Sequence, residues 1–383
     1  MSRPVSRRSG AVDPFIVMDV MAAAAAKEAA GETVIHLEVG QPSTPAPKAA
    51  LAAAHAALDG DRIGYVAALG MPALRERIAR HYRDTYGVEV SPERVIVTTG
   101  SSGGFPLAFL ASFDAGDRVA LAAPGYPAYR NILAALDLEA VDLPTSATDR
   151  FQPTIAAVEK AGPLAGLIVA SPSNPTGTMV SRSELKALAE WCDARHVRLI
   201  SDEIYHGIVY EGETTSAVEL SDHAIVVNSF SKYFSMTGWR VGWLIVPDEL
   251  VRPIERLTQN FFISVPTLSQ HAALAAFEGR DELDGHVRRY KTNRDLLMAG
   301  LPAAGLDRLT PAQGAFYIYA DVSHLTNDSR DFCKRMLAEA GVATTPGVDF
   351  DRARGAGTLR ISFAGSTAEM EEAVRRLKQW RRV

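Results

Sequence analysis

An α/β fold is predicted: one large domain whose mostly parallel sheet is sandwiched by helices, and a smaller α+β domain beside it. Three observations carry this. Short apolar runs recur with a helix-like segment between them, the alternation of a parallel sheet covered on both faces. At 383 residues the chain exceeds the length over which a single core keeps growing. After about residue 275 the alternation stops, and a long polar helix gives way to isolated strands.

Taken in order, the N-terminal MSRPVSRRSGAV is basic in the manner of a targeting peptide. Asp19, however, interrupts the apolar stretch PFIVMDVMAAAAA, and Lys27 and Glu28 come after it, so an ordered arm leading into an amphipathic helix is expected. Strands are expected at VIVTT (Val95–Thr99), RVALAAP (Arg118–Pro124), GLIVASP (Gly166–Pro172), VRLISDE (Val197–Glu203), AIVVNSF (Ala224–Phe230) and VGWLIVP (Val241–Pro247). Their continuous apolar character is that of strands buried on both faces. A helix is expected over Phe105–Ser112. Another begins at Ser181, where Glu184 completes a capping box and Leu185, Leu188, Ala189 and Cys192 mark one helical face. Beyond residue 275, EGRDELDGHVRRYKTNRDLLMAGL reads as a helix, and GAFYIYADV and TLRISFA read as strands. The division expected is an arm and part of the small domain over 1–48, the large domain over 49–275, and the C-terminal small domain over 276–383.

Composition narrows the function. A formal net charge of −5 argues against a general nucleic-acid binder, whose affinity rests on clustered Lys and Arg. The two cysteines, Cys192 and Cys333, form no CxxC pair, which fits a reducing cytoplasm and two small core residues. No histidine spacing suggests a metal site, and no apolar run reaches membrane-spanning length.

In open α/β sheets ligands bind beyond the carboxyl ends of the strands, so the residues immediately after each run are informative. The successive continuations are GSSGG (Gly100–Gly104), APGYPAY, SPSNPTG, DEIY and SFSK. One such end is a turn; several at one sheet edge make a site. GSSGG ahead of a helix offers unhindered amides and hydroxyls to an anion. It is not a phosphate loop of the GK[ST] kind. Ser229 adds a hydroxyl and Arg240 a full positive charge. Asp202 ends an apolar strand, where a carboxylate is costly unless a cation or several donors hold it. Asn174 stands before a proline, Tyr126 offers a flat face, and Lys232 comes just after the last of these strands. An aromatic ring with a phosphate tail, a ring nitrogen, a ring hydroxyl and an aldehyde would use them all. Pyridoxal 5'-phosphate is such a molecule, and Lys232 is the lysine that would hold it as a Schiff base.

HLEVGQP (His36–Pro42), GYVAALGMPALRERIARHY (Gly64–Tyr82), GSSGG, PGYPAY, SPSNPTG, SDEIY, SFSKYFSMTGWRVGW, QGAFY and TLRISFA together carry a resemblance. In that order, over nearly the whole length, the chain resembles the class I and II aminotransferases, the fold-type I enzymes dependent on pyridoxal phosphate. The resemblance implies the aspartate-aminotransferase-like fold. It implies that Lys232 is displaced by the amino donor and then moves the proton, and that Asp202 keeps the pyridine nitrogen protonated. By the same resemblance Asn174 and Tyr205 bond the ring hydroxyl, Tyr126 stacks on the ring, and Ser101, Ser102, Ser229 and Arg240 form the phosphate cup. Tyr65 matches a tyrosine that reaches the neighbouring subunit's phosphate, which implies a homodimer with shared sites. Arg360 resembles the arginine gripping the substrate α-carboxylate, with the backbone of Gly40 beside it.

The reaction implied is a ping-pong transfer of an amino group from an L-amino acid to a 2-oxo acid, 2-oxoglutarate or pyruvate. Fold alone does not fix this, since carbon–sulfur β-lyases and cofactor-binding regulators share it. A regulator would carry a DNA-binding module ahead of HLEVGQP, where only roughly thirty residues stand. Where many bacterial aspartate aminotransferases have a lysine in the phosphate turn, Ser102 stands here. With an apolar arm leading to the site, a neutral donor is expected rather than aspartate. The acceptor can still be 2-oxoglutarate, its second carboxylate met by an arginine elsewhere in the chain, such as Arg354, or by the partner subunit.

Overall fold

Continuous apolar runs form strands covered on both faces, and each of the runs singled out from sequence does so in the computed structural model, which describes residues 5–60 and 63–380. The first four residues of the basic N-terminal stretch lie outside the described residues. The chain opens with α1 (Arg7–Gly10), α2 (Ile16–Ala29), β1 (Ile35–His36), α3 (Lys48–Gly60) and α4 (Pro72–Tyr86). An alternating stretch comes next: β2 (Val95–Thr98), α5 (Gly100–Ser112), β3 (Arg118–Ala123), α6 (Pro127–Ala135), β4 (Glu139–Pro144), α7 (Ile155–Lys160), β5 (Gly166–Ala170), α8 (Arg182–Ala194), β6 (Arg198–Asp202), β7 (Ile225–Ser229) and β8 (Gly242–Ile245). The remainder comprises α9 (Asp248–Phe261), α10 (Thr267–Ala276), α11 (Arg280–Gly300), β9 (Arg308–Leu309), β10 (Tyr317–Asp321), α12 (Ser329–Arg335), β11 (Val342–Ala343), β12 (Thr345–Pro346), β13 (Thr358–Ser362) and α13 (Thr367–Trp380).

The main sheet has 7 strands in the order β2-β8-β7-β6-β5-β3-β4. Only β8 runs against its neighbours; the rest are parallel. Successive side chains point to opposite faces, and both faces are dry. Val95, Val97, Leu167, Val169, Leu199 and Val226 enter the core on one side, and Ile96, Ile168, Ile200, Ile225 and Val227 the core on the other. Burying each such aliphatic side chain stabilises by about 1.5–3 kcal/mol, which is why these runs carry no alternation in sequence.

A second sheet of 4 strands, β12-β13-β10-β9, is wholly antiparallel and has its own core, with Phe316, Ile318, Leu359 and Ile361 among its residues. The N-terminal segment joins it: β1 pairs in parallel with β11, and Ser362 N donates to Leu37 O at 2.7 Å. That pairing carries HLEVGQP past β13 and delivers Gly40 to the cleft between the sheets.

The capping box at Ser181 is present, and Leu185, Leu188, Ala189 and Cys192 are the buried face of α8. Cys192 and Cys333 are both free and buried. Three features differ from expectation. Strand β4 escapes a hydrophobicity reading because its sequence, EAVDLP, occupies the sheet edge and is mostly solvent-facing. Helix α5 begins at Gly100, not at Phe105. Glycine and serine are weak helix formers, but the turn is too tight for larger residues: a Cβ on Gly103 would lie 2.0 Å from Thr99 Oγ1, and one on Gly104 3.0 Å from Leu244 Cδ2. The arm helix α2 departs from an amphipathic helix docked by a whole face, since Ala24 is its only buried residue.

Among the described residues no helix is long and apolar enough to cross a membrane, and no cluster of His, Cys, Asp and Glu is placed to hold a metal ion.

Candidate active site

Because β2, β3, β5, β6 and β7 are parallel, their carboxyl ends meet at one edge of the sheet, and the reversed β8 begins there. A cavity of about 600 Å³ opens at that edge. Of the residues singled out from sequence, Gly40, Ser101, Ser102, Tyr126, Asn174, Asp202, Tyr205, Lys232, Arg240 and Arg360 line it. Ser229 does not: it is buried behind Ser231, to whose Oγ its hydroxyl donates at 2.9 Å, and Ser231 is the serine of that loop in the lining. Tyr65 lies outside the cavity with 82% of its surface exposed.

One end is an anion cradle. The first turn of α5 presents the amides of Gly100–Gly103 with Ser101 and Ser102, where the helix dipole favours negative charge. Arg240 leans over this turn in a left-handed backbone conformation (φ 51°), its guanidinium donating only to the carbonyls of Thr237 (2.7 Å) and Thr99 (3.4 Å). A side chain at Gly100 would collide with it, the ideal Cβ lying 2.5 Å from Arg240 Nη2. With no carboxylate partner among the described residues, this cation is available to a phosphate.

The middle holds Asp202 and Lys232. Asp202 accepts from the Tyr129 hydroxyl and from Ile204 N (3.1 Å), yet no cation among the described residues pairs with it. Burial pushes its carboxyl up to about 6, against the pull of Tyr129, Ile204 N and Lys232. A protonated ring nitrogen is the kind of donor this carboxylate lacks. Lys232 donates to Gly40 O at 2.6 Å. Burial first, then the positive charges of Arg360 and Arg240, bring its ammonium down to about 8, with Asp202 opposing. A lysine so placed is partly neutral at physiological pH and able to act as nucleophile and base.

The other end holds Arg360, on β13. Its Nη1 donates to Asn174 Oδ1 (2.9 Å) and its Nη2 to Glu38 O (2.5 Å). The guanidinium lies 4.4 Å from the Tyr317 ring and 4.8 Å from the Phe350 ring, while Nε is buried without a partner. A desolvated arginine with no counter-ion among the described residues is a receptor for a carboxylate. Gly40 is needed beside it, because a Cβ there would sit 1.9 Å from the Tyr317 hydroxyl, which also bonds the Tyr205 hydroxyl at 2.8 Å.

Sequence reasoning missed several lining residues. Tyr129 anchors Asp202, and a signal existed: it lies three residues after Tyr126 at the start of α6, the spacing that puts two side chains on one face. Tyr317, Ser231 and Thr237 sit within the family motifs but carry no charge to mark them as site residues. Most consequential is the wall made by Val17, Met18 and Met21 of α2 together with Val39. The arm helix spends its apolar side chains on the cavity, which explains its shallow docking on the core. Arg354 is a correction. It is tied down by Asp351 Oδ2 (2.8 Å), Thr145 O (2.8 Å) and Ala123 O (2.6 Å), and does not line this cavity.

Comparison with known proteins agrees with this geometry. The family described as aminotransferase class I and II matches residues 32–377. The valine–pyruvate aminotransferase of Mycobacterium tuberculosis is 54% identical over 99% of both chains. The (5-formylfuran-3-yl)methyl phosphate transaminase of Methanocaldococcus jannaschii is 35% identical over 98% of this chain and 99% of that protein. Among solved structures, an aminotransferase from Mycobacterium tuberculosis superposes with a TM-score of 0.97 at 54% identity over 99% of both chains. The aspartate aminotransferase of Thermus thermophilus with maleate superposes with a TM-score of 0.92 at 33% identity, covering 99% of this chain and 100% of that one.

Proposed function

Since the chain belongs to the class I and II aminotransferase family and is an aminotransferase of the aspartate-aminotransferase-like fold, we propose that it moves the amino group of a neutral, aliphatic L-amino acid such as valine to pyruvate, with pyridoxal phosphate held in the cavity. The observation that carries this reading is the cation inventory of that cavity. Among the described residues its lining holds Lys232, Arg240 and Arg360 and no further lysine or arginine. Arg240 faces the anion cradle, Lys232 is the reacting amine, and Arg360 alone is left for substrate. A second carboxylate would meet the apolar side chains of Val17, Met18, Met21 and Val39 and find no cation beside them, which disfavours it. Valine and pyruvate each present one carboxylate and a small apolar side chain, so one pocket serves both halves of the reaction. The substrates in the name of the Mycobacterium tuberculosis relative point the same way.

The residues fit the cofactor. The α5 turn, Ser101, Ser102, Ser231 and Arg240 would hold the phosphate with Ser229 behind them, Tyr126 the ring face, Asn174 and Tyr205 the ring hydroxyl, and Asp202 the ring nitrogen. When bound, pyridoxal phosphate supplies an aldehyde that takes up the amino group and a cationic ring that withdraws electrons from the substrate α-carbon. Lys232 Nζ then carries the proton from the α-carbon, a role its depressed pKa suits. Arg360, packed against the Tyr317 and Phe350 rings, fixes the carboxylate and hence which α-substituent faces Lys232. Tyr129 keeps the Asp202 carboxylate aimed.

The two sheets with separate cores support a cofactor-binding unit over 49–275 and a smaller unit of 1–48 with 276–383. Two buried free cysteines suit a cytoplasmic enzyme. Turnover of ¹⁵N-labelled valine with pyruvate, followed by NMR, tests the function: labelled alanine is expected. Pyruvate released from a cysteine conjugate without any acceptor would instead identify a β-lyase.

A homodimer with shared sites accounts for Tyr65, a large aromatic side chain left in solvent by the single chain. In a mixed dimer of Tyr65→Phe and Lys232→Ala chains, sharing leaves one site with both defects and one intact. About half of wild-type activity per dimer is then expected. Activity no higher than half that of the Tyr65→Phe homodimer would show that each site is built from one chain.

A further inference from the structure

A second cavity, of about 460 Å³, shares no lining residue with the first. The two are separated by one loop. Ser231 and Lys232 face the catalytic cavity, whereas Asn228 and Ser229 before them, and Tyr233 and Phe234 after them, line the other. Nothing in the transfer reaction uses this space, yet it is not a simple packing defect, because its walls sort into three chemistries.

The inner wall is aromatic: Tyr86, Phe234, Trp243 and Phe277, with Phe230 packed on Phe234 and Trp243 from behind. Against it lies an unsatisfied cation. The Arg77 guanidinium stacks 4.1 Å from the centre of the Phe277 ring, and its Nη1 is buried with no hydrogen-bond partner. A buried guanidinium nitrogen left unpaired is costly, and a carboxylate in the cavity would satisfy it. The rim carries the opposite charge. Asp84, two turns beyond Arg77 on α4, and Glu213 line the cavity, and neither carboxylate has a hydrogen-bond or ion-pair partner among the described residues. Asp284 is already engaged, accepting from the Tyr233 hydroxyl at 2.6 Å and lying 3.9 Å from Arg280 Nε. Between these charges His81 and His206 are neutral near pH 7, because burial pushes their imidazoles down to about 4 and about 3. Neither adds charge: His206 is occupied by the Tyr86 hydroxyl at 2.7 Å and by the Ser171 backbone, and His81 Nδ1 bonds the Thr85 hydroxyl at 3.2 Å.

A purely anionic ligand would face Asp84, Glu213 and Asp284; a cationic one would leave Arg77 unpaired. We propose that this cavity binds a second, non-reacting amino acid as its zwitterion, with the carboxylate on Arg77, the ammonium toward Asp84 and Glu213, and an aromatic or branched side chain against the ring wall. Its occupancy is transmitted to the catalytic loop through Tyr233, which adjoins Lys232 and is tied to α11 by its bond to Asp284. Gly207 makes this contact tight: a Cβ there would lie 2.7 Å from the Tyr233 ring.

The test uses L-phenylalanine as the probe. With valine and pyruvate both saturating, added L-phenylalanine is expected to change wild-type turnover, since a rival for the catalytic cavity would be displaced but a second-site ligand would not. Arg77→Leu, which lies outside the catalytic cavity's lining, should keep basal turnover and lose that response. Calorimetric titration of holoenzyme inactivated by borohydride reduction reads binding directly: Arg77→Leu should weaken it at least tenfold, and phenylpropionate, which lacks the ammonium, should bind at least tenfold more weakly to the wild type. Equal binding by wild type and Arg77→Leu, or by the two probes, overturns the proposal. Failure of valine to react at all would count against the donor assignment and leave this comparison intact.

Discussion

Lys232→Ala is expected to abolish turnover, by on the order of 10⁴-fold, while the folded chain still takes up pyridoxal phosphate. The size rests on what one amine does here. Among the described residues it is the only lysine in the cavity lining, and proton transfer by a positioned base is worth up to about 10⁴-fold. The proposed phosphate cradle uses other groups, the α5 turn, Ser101, Ser102 and Arg240, so cofactor capture should survive. The pH dependence has a definite sign. Burial and the Arg360 and Arg240 charges bring the Lys232 ammonium down to about 8, and only the neutral amine is a nucleophile. Incorporation of pyridoxal phosphate into wild-type Lys232 should therefore accelerate with pH up to about 8 and level off above it. Borohydride reduction followed by peptide mass spectrometry checks the position; label on another lysine would refute it.

Asp202→Asn should be the next most damaging change, lowering kcat by about 10²–10³-fold, in the range lost when one aimed electrostatic group is removed from a reacting centre. The amide keeps the shape and still accepts from Ile204 N, so the fold should survive. What disappears is the charge proposed to keep the ring nitrogen protonated. Burial raises the Asp202 carboxyl to about 6 in the chain without cofactor. Its anionic form is thus present above that pH and lost below it. Wild-type affinity for pyridoxal phosphate should weaken as pH falls through about 6, and the Asn variant should lack that limb. Wild-type half-reaction rates in the variant would remove Asp202 from the ring-nitrogen role.

The main sheet was legible in the sequence because every strand that supports the site is buried on both faces, and double burial writes itself as an uninterrupted apolar run. Strand β4 was not, since an edge strand with solvent on it has no such signature. The polar residues at the strand ends were legible for a topological reason: parallel strands bring all their carboxyl ends to one edge, so the segments that continue the runs are spatial neighbours. Arg360 needed more than this. It comes from the other sheet, and only the resemblance of TLRISFA to the family motif linked it to Asn174, which it contacts at 2.9 Å. The substrate wall was the hardest part. Val17, Met18 and Met21 belong to an arm helix whose sequence predicts docking on a core, and nothing in its periodicity says that a cavity takes the place of that core. Arg354 shows the converse: a free arginine in sequence is spoken for once its three hydrogen bonds are seen.

In the proposed reaction one arginine, Arg360, serves the substrate and an apolar wall meets its side chain. The ratio of kcat/KM for valine, alanine and aspartate in the donor half-reaction tests it most directly. Valine and alanine should each exceed aspartate by tenfold or more, which corresponds to about 1.4 kcal/mol or more of differential transition-state binding. Aspartate exceeding both by tenfold would require a second cation facing the side chain, and would contradict the account.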